Sequence, residues 1–290
     1  MQKAIFFFLF FCSISAGAQK IDPYKADYSA PKKIPGMTLA WREEFNKNGA
    51  PNPKKWKHES GFKRNHELQW YQPQNALCKN GVLLIEGRRE KVMNNNYKEG
   101  SKDWRETRTY ASYTSSSINT KGLQEFLYGR FEIRARVDTV KGSWPAIWTL
   151  GVAGGWPLNG EVDIMEFYRA DSLPTILANV AWGQDGNGEP IWNTGETRLS
   201  HFTAKDSAWP RKFHVWRMDW TEDSILLYLD DELLNKQSLK TTLNPNGSNP
   251  FLKPQYLLLN LAIGSNGGDP SATPFPIKYE VDYVRYYKKQ

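Results

Sequence analysis

FLYGRFEIRARV (residues 126–137) alternates in its second half. Phe131, Ile133, Ala135 and Val137 are apolar, and Glu132, Arg134 and Arg136 stand between them. A strand sends successive side chains to opposite faces, so this period of two predicts a strand with one face in a core and the other in water. Comparable strand signals recur on either side, at VLLIEGRRE (82–90), KFHVWRMDW (212–220), SILLYLDD (224–231), YLLLNLAI (256–263) and YEVDYVRYY (279–287). Clusters of Gly, Pro, Asn and Asp separate them. No long segment shows a 3.6-residue period and no unit repeats. Many strands, few helix signals and no repeat predict an all-β, antiparallel sandwich.

The start of the chain does not belong to that sandwich. Lys3 is followed by an apolar run from Ala4 to Phe11 and then by Ala16-Gly17-Ala18. This is the layout of a secretory signal cleaved after Ala18, and its apolar run is too short to span a bilayer. Cys12 follows Phe10-Phe11 rather than the small residues that precede a lipid-bearing cysteine. Residues 1–18 are therefore expected to be a signal peptide, 19–36 a polar, extended lead-in with three prolines, and 37–290 one domain. The expected product is exported to the periplasm or the outside as a monomer without a membrane span. Once the signal is gone Cys78 is the single cysteine, so stability rests on a packed core rather than on an intrachain disulfide.

Composition narrows the function. The net charge of +7 is scattered among acids rather than clustered, which argues against a nucleic-acid partner. Twelve tryptophans serve a core, and they also suit the apolar C–H faces of sugar rings. Two long polar connections, about 91–112 and 183–211, carry aromatics and are read as functional loops. The four histidines form no metal-spaced pair, and no Ser or Cys nucleophile arrangement stands out.

The chemistry concentrates in GEVDIMEF (160–167). Glu161 and Asp163 share a strand face, but Glu166 comes one residue late. On a helix the three would point about 0, 200 and 140 degrees around the axis and share no face. A β-bulge at Ile164 or Met165 returns Glu166 to the face of the other two. Paired carboxyl groups are what glycosidic cleavage needs, one ionised and one protonated, and about 5–5.5 Å apart when configuration is retained. Asp163 between them helps to separate their pKa values. The competing readings are a solvated acidic face and a calcium site. Like charges on one strand face repel, and one nearly straight strand encircles a metal poorly.

The spacing Glu161-x-Asp163-x-x-Glu166 resembles glycoside hydrolase family 16, in its laminarinase-like branch. Further blocks follow that family in order: LAWREEFN (39–46), NHELQWYQPQNA (65–76), YGRFEIRARV (128–137), SWPAIWTLG (143–151), FHVWRMDW (213–220), LLLNLAIG (257–264) and VDYVRYY (281–287). The resemblance implies a β-jelly roll with a concave sugar-binding cleft and needs no cofactor for catalysis. It implies Glu161 as nucleophile, Glu166 as general acid/base and Asp163 as assisting acid. It places Trp144, Trp148, Asn65 and Arg130 against the sugar. The strand after the signature carries a histidine in common members, but LANVAWG (177–183) has none; Trp182 stands nearby and is counted with the sugar-binding residues. It also implies a structural calcium held by Glu44, the Gly81 carbonyl and Asp282. The expected activity is endo-hydrolysis of a β-linked polysaccharide, with a lean to β-1,3- or mixed-linkage glucan. Endo-β-galactosidase action on mucin-type or poly-N-acetyllactosamine chains, transglycosylation, and sugar binding without catalysis are the rivals.

Overall fold

The computed structural model describes residues 21–290; the expected signal, 1–18, and the first two residues of the lead-in lie outside the described residues. Fifteen strands build two antiparallel sheets. In chain order they are β1 (Met37–Glu43), β2 (Lys57–His58), β3 (Ala76–Lys79), β4 (Val82–Gly87) and β5 (Ser117–Asn119). Then come β6 (Gly129–Val137), β7 (Ser143–Gly151), β8 (Glu161–Ala170), β9 (Leu173–Trp182) and β10 (Ile191–Arg198). The last are β11 (His214–Trp220), β12 (Ser224–Leu229), β13 (Glu232–Ser238), β14 (Gln255–Ile263) and β15 (Ile277–Lys289).

One sheet has eight strands in the order β13-β12-β11-β6-β15-β4-β3, with β1 also paired to β15. The other has seven, in the order β10-β9-β8-β7-β14-β5-β2. This is the antiparallel sandwich that the alternation predicts. Strand β6 supplies Phe131, Ile133, Ala135 and Val137 to the core between the sheets. From the other side come Ile147 of β7, Val162 and Phe167 of β8, and Leu257, Leu259 and Leu261 of β14. On the outward face of β6 the charges are paired across strands. Arg130 sits opposite Asp219 and binds it through two bonds of 2.5 and 2.8 Å, and Arg136 binds Glu280 at 2.5 Å.

The 183–211 connection differs from its reading as a loop. Residues 191–198 form β10, the edge of the seven-stranded sheet, because IWNTGETR half-buries alternate side chains instead of presenting an apolar face. The edge is covered from the other sheet: Asn235 Nδ2 donates to the carbonyls of Ala178 (2.8 Å) and Asn193 (3.0 Å). A Cβ on Gly195 would lie 2.6 Å from the Leu234 carbonyl, so only glycine admits this approach.

The lead-in is strapped to the eight-stranded sheet. A register shift between Arg134 and Ala135 leaves Asp282 of β15 without a cross-strand partner. Its carboxylate accepts from Arg134 Nη1 at 2.5 Å and from the Asp27 backbone N–H at 3.1 Å. Arg134 also donates to the carbonyls of Asp22 and Lys25, and Phe213 N–H donates to that of Pro23. Nearby, Arg285 donates to Glu44 at 3.1 and 2.8 Å. These pairings involve the residues expected to hold calcium. The carboxylates of Glu44 and Asp282 are each taken by a guanidinium, and a Cβ on Gly81 would meet the Tyr28 hydroxyl at 2.5 Å. Two arginines thus supply positive charge to the carboxylates that were expected to hold calcium.

Asp282→Asn leaves Arg134 buried without its counter-charge. Breaking such a pair costs about 3–5 kcal/mol, so calorimetry should show a markedly lowered melting temperature, while calcium or chelator leaves the melt of the unaltered protein unchanged.

Candidate active site

The site grows from one irregularity in β8. Against β7, Met165 pairs with Ile147 and Asp163 with Trp148, so Ile164 has no partner between them. Against β9, Asp163 pairs with Asn179 and Glu166 with Leu177, so Ile164 and Met165 together face one residue, Ala178. This is the extra residue that the late glutamate requires. Both bulge residues turn into the core with Val162. Glu161, Asp163 and Glu166 all line a cavity of about 980 Å³ on the outward face of the seven-stranded sheet.

The walls come from several elements. Trp144 and Trp148 of β7 line the cavity, each only 7% exposed. Trp144 Nε1 donates to Glu166 Oε1 at 2.9 Å, and Trp148 Nε1 donates to Asn260 Oδ1 at 2.7 Å. Asn179 of β9 donates through Nδ2 to both Asp163 Oδ2 (3.1 Å) and Glu166 Oε2 (3.0 Å). Trp156, in the β7–β8 connection, donates through Nε1 to Glu161 Oε2 at 2.5 Å. Its ring leans on Trp192 of β10, with centroids 6.4 Å apart. Both indoles are about half exposed, at 51% and 43%, and form an aromatic wall.

Another part of the rim is polar. Asn65 lines the cavity with Arg64 and His66, its backbone in the left-handed region at φ 56°. Arg64 is ion-paired with Glu59, and its guanidinium stands 5.1 Å from the Trp148 ring centre. The 91–112 connection docks here. It carries a short helix, Trp104–Thr107, and packs Val92, Trp104 and Ala111 against Phe62 and Trp70. Arg108 donates from this loop to the carbonyls of Glu67 and His66, and Arg105 reaches the cavity.

Electrostatics separates the three acids. Burial pushes Glu166 up to about 7, against hydrogen bonds from Trp144 and Asn179 that favour its charged form. Burial, then repulsion from Glu166 and Glu161, pushes Asp163 well above the usual carboxylate range. Glu161 is raised by burial too, but hydrogen bonds from Asp163 and Trp156 and the charge of Arg64 oppose the shift. The site thus offers a carboxyl ready to give a proton near neutrality, and a second one whose ionised form is hydrogen-bonded and balanced by a cation.

That arrangement sits inside a recognisable sequence pattern, because the pattern of Glycosyl hydrolases family 16 matches residues 84–285. The chain belongs to glycosyl hydrolase family 16. It is an endo-acting glycoside hydrolase. A beta-glucanase of Rhodothermus marinus is 33% identical to this hydrolase over 96% of the chain and 93% of that protein. Glucan endo-1,3-beta-glucosidase A1 of Niallia circulans is 35% identical over 89% of the chain, which spans 39% of that longer protein. A solved structure from work on endo-acting O-glycanases, expressed by prominent members of the human gut microbiota to initiate mucin breakdown, superposes with a TM-score of 0.80. It is 36% identical, covering 90% of this chain and 94% of its own. The jelly-roll sandwich is common to this family 16 hydrolase and its structural neighbours.

Two residues expected in the cleft lie elsewhere. Arg130 belongs to the eight-stranded sheet, where Asp219 directly across the strand pair holds its guanidinium. Trp182 ends β9 facing inward and packs in the core, because the alternation that turns Asn179 outward puts the residue three positions later on the other face. Asn179, Trp156, Trp192 and Arg64 were not read from the sequence as site residues. Asn179 was within reach of counting. Ala170 pairs with Leu173 across the Asp171-Ser172 turn, and allowing one extra residue for the bulge puts Asn179 opposite Asp163. The turn has no Asn-Gly or Asp-Gly to announce it, although both residues adopt positive φ.

Deleting Ile164 from this hydrolase puts Glu161, Asp163 and Glu166 at alternate positions of a regular strand, still on one face, but removes the bulge whose local bend and twist set the spacing and aim of the acids. Turnover should fall by at least the 10²–10⁴-fold typical of losing a general acid, with the sandwich still folded by circular dichroism. A deletion variant of ordinary activity would disprove the role given to the bulge.

Proposed function

We propose that the protein is a retaining enzyme that cuts internal bonds of β-1,3- or mixed-linkage glucan. Glu161 is its nucleophile, Glu166 its general acid/base and Asp163 the protonated acid that assists both. The observation that carries this reading is geometric: the bulge brings three carboxyl groups to one cavity, where Trp144 and Asn179 hold Glu166 and Trp156 separately holds Glu161. In the first step a Glu161 oxygen bonds to the anomeric carbon as Glu166 gives its proton to the departing glycosidic oxygen. In the second, Glu166 takes a proton from water, which displaces Glu161 from the same carbon. Asp163 keeps its proton throughout and shares it in a hydrogen bond to Glu161, which tempers the charge of the nucleophile. The aromatic wall of Trp156 and Trp192 suits the apolar face of a sugar ring. Export by the signal at 1–18 is part of the proposal and places the enzyme where polysaccharide is met.

The glucan substrate follows the names of the two curated relatives. A second reading, endo-action on mucin-type O-glycans, is supported by the close superposition on the structure from the O-glycanase work. Digestion of laminarin, mixed-linkage glucan, keratan sulphate and mucin glycans with product sizing separates the two. Laminarin fragments of several sugars are the expected outcome, and cleavage of mucin chains alone would give the second reading its place. An added acceptor sugar would reveal transglycosylation as elongated product.

Glu161→Ala and Glu166→Ala should each lose at least about 10²-fold in turnover on a natural glycan. On an activated aryl β-glycoside, whose leaving group needs no proton, azide should restore turnover to the Glu166 variant with a β-glycosyl azide as product, because the nucleophile is still present. Since Glu166 must hold its proton, kcat/KM should fall as pH rises through about 7. Trp144→Phe removes a hydrogen bond that favours the charged form, so that basic limb should move to higher pH.

A further inference from the structure

The two glutamates are each held by an indole N–H, but the two indoles are differently placed. Trp144 is built into β7 and buried, whereas Trp156 stands half exposed in the connection before β8. Burial therefore does not account for a tryptophan at 156. Its nitrogen is aimed at Glu161 Oε2 and its ring is braced by Trp192. Asn179, which serves Asp163 and Glu166, does not reach Glu161, and Trp148 spends its N–H on Asn260. Among the described residues, a fixed neutral N–H reaches Glu161 only from Trp156.

We propose that Trp156 is a positioning residue for the nucleophile: its indole N–H pins one carboxylate oxygen of Glu161, keeps the group ionised and leaves the other oxygen to attack. This rests on Glu161 being the nucleophile, as proposed above. A buried carboxylate among other acids resists ionisation unless donors compensate it. The charged and titratable groups facing Glu161 are Asp163 and Glu166 on its own strand, Arg64 from the rim and Tyr256 of β14. Asp163 must keep its own proton, and Arg64 is already paired with Glu59. The Trp156 bond is the charge-stabilising contact that can be removed without disturbing either of them. It also fixes the rotation of the carboxylate, because a bond to Oε2 defines which lone pairs of the other oxygen point into the cavity.

Trp156→Phe keeps the aromatic surface and removes the N–H. On whichever panel glycan the unaltered enzyme cuts fastest, kcat should fall about tenfold, the worth of one hydrogen bond to a charged group. KM should stay within about twofold, and the acid limb of kcat/KM should move to higher pH by about one pH unit. A second measurement needs no substrate. In ¹⁵N-labelled protein the Trp156 indole resonance should titrate with Glu161 and lose that response in Glu161→Gln. An unmoved acid limb with a loss confined to KM would reduce Trp156 to a sugar-stacking surface, and an indole signal indifferent to Glu161 would overturn the proposal outright. Full activity in Glu161→Ala would instead defeat the parent reading.

Discussion

One constraint organises the rest of the molecule: a strand has a period of two, and β8 breaks it once. Without Ile164 as an unpaired residue, no register of β8 puts Glu161, Asp163 and Glu166 on one face while Val162 and Phe167 stay in the core. The neighbouring strands must follow that break. β7 brings Trp144 and Trp148 to the same outward face, β9 brings Asn179 opposite Asp163, and β14 brings Asn260 under Trp148. The sandwich fixes these strands by burying their other faces against the eight-stranded sheet, so the cleft inherits the rigidity of the core.

Three acids within six residues are a local cost that the surroundings offset with neutral donors. Indoles and an amide approach the carboxylates, whereas Arg64, the cation whose charge acts on Glu161, is already engaged by Glu59. A lysine bound directly to the cluster would favour ionised carboxylates and work against keeping a proton on Glu166. Neutral donors shift the balance by smaller steps, which lets burial leave Glu166 protonated near neutrality while Glu161 is eased toward its charged form.

Much of this was legible in the sequence because alternation is a local signal. Phe131 to Val137 read correctly as a core-facing series, and the late Glu166 announced its bulge. What stayed hidden depends on which strands become neighbours. Arg130 looked like a residue for sugar hydroxyls until Asp219, eighty-nine positions away, claimed it from the adjacent strand. Trp182 is chemically as good a sugar platform as Trp192, and only the side of the sheet on which each lands decides between them. β10 escaped notice because an edge strand with polar side chains lacks the apolar face that pattern reading looks for. Glu44 and Asp282 have the oxygen chemistry of calcium ligands, but arginines on neighbouring strands reach them.

The strap formed by residues 21–29 also gives the molecule an orientation. It is fastened to the outward face of the eight-stranded sheet, through Arg134, Asp282 and Phe213, whereas the cleft opens on the outward face of the other sheet. The described chain therefore begins on the side of the body facing away from the cleft. Cargo, support or label attached at that end would leave the groove clear for a long chain to lie across it.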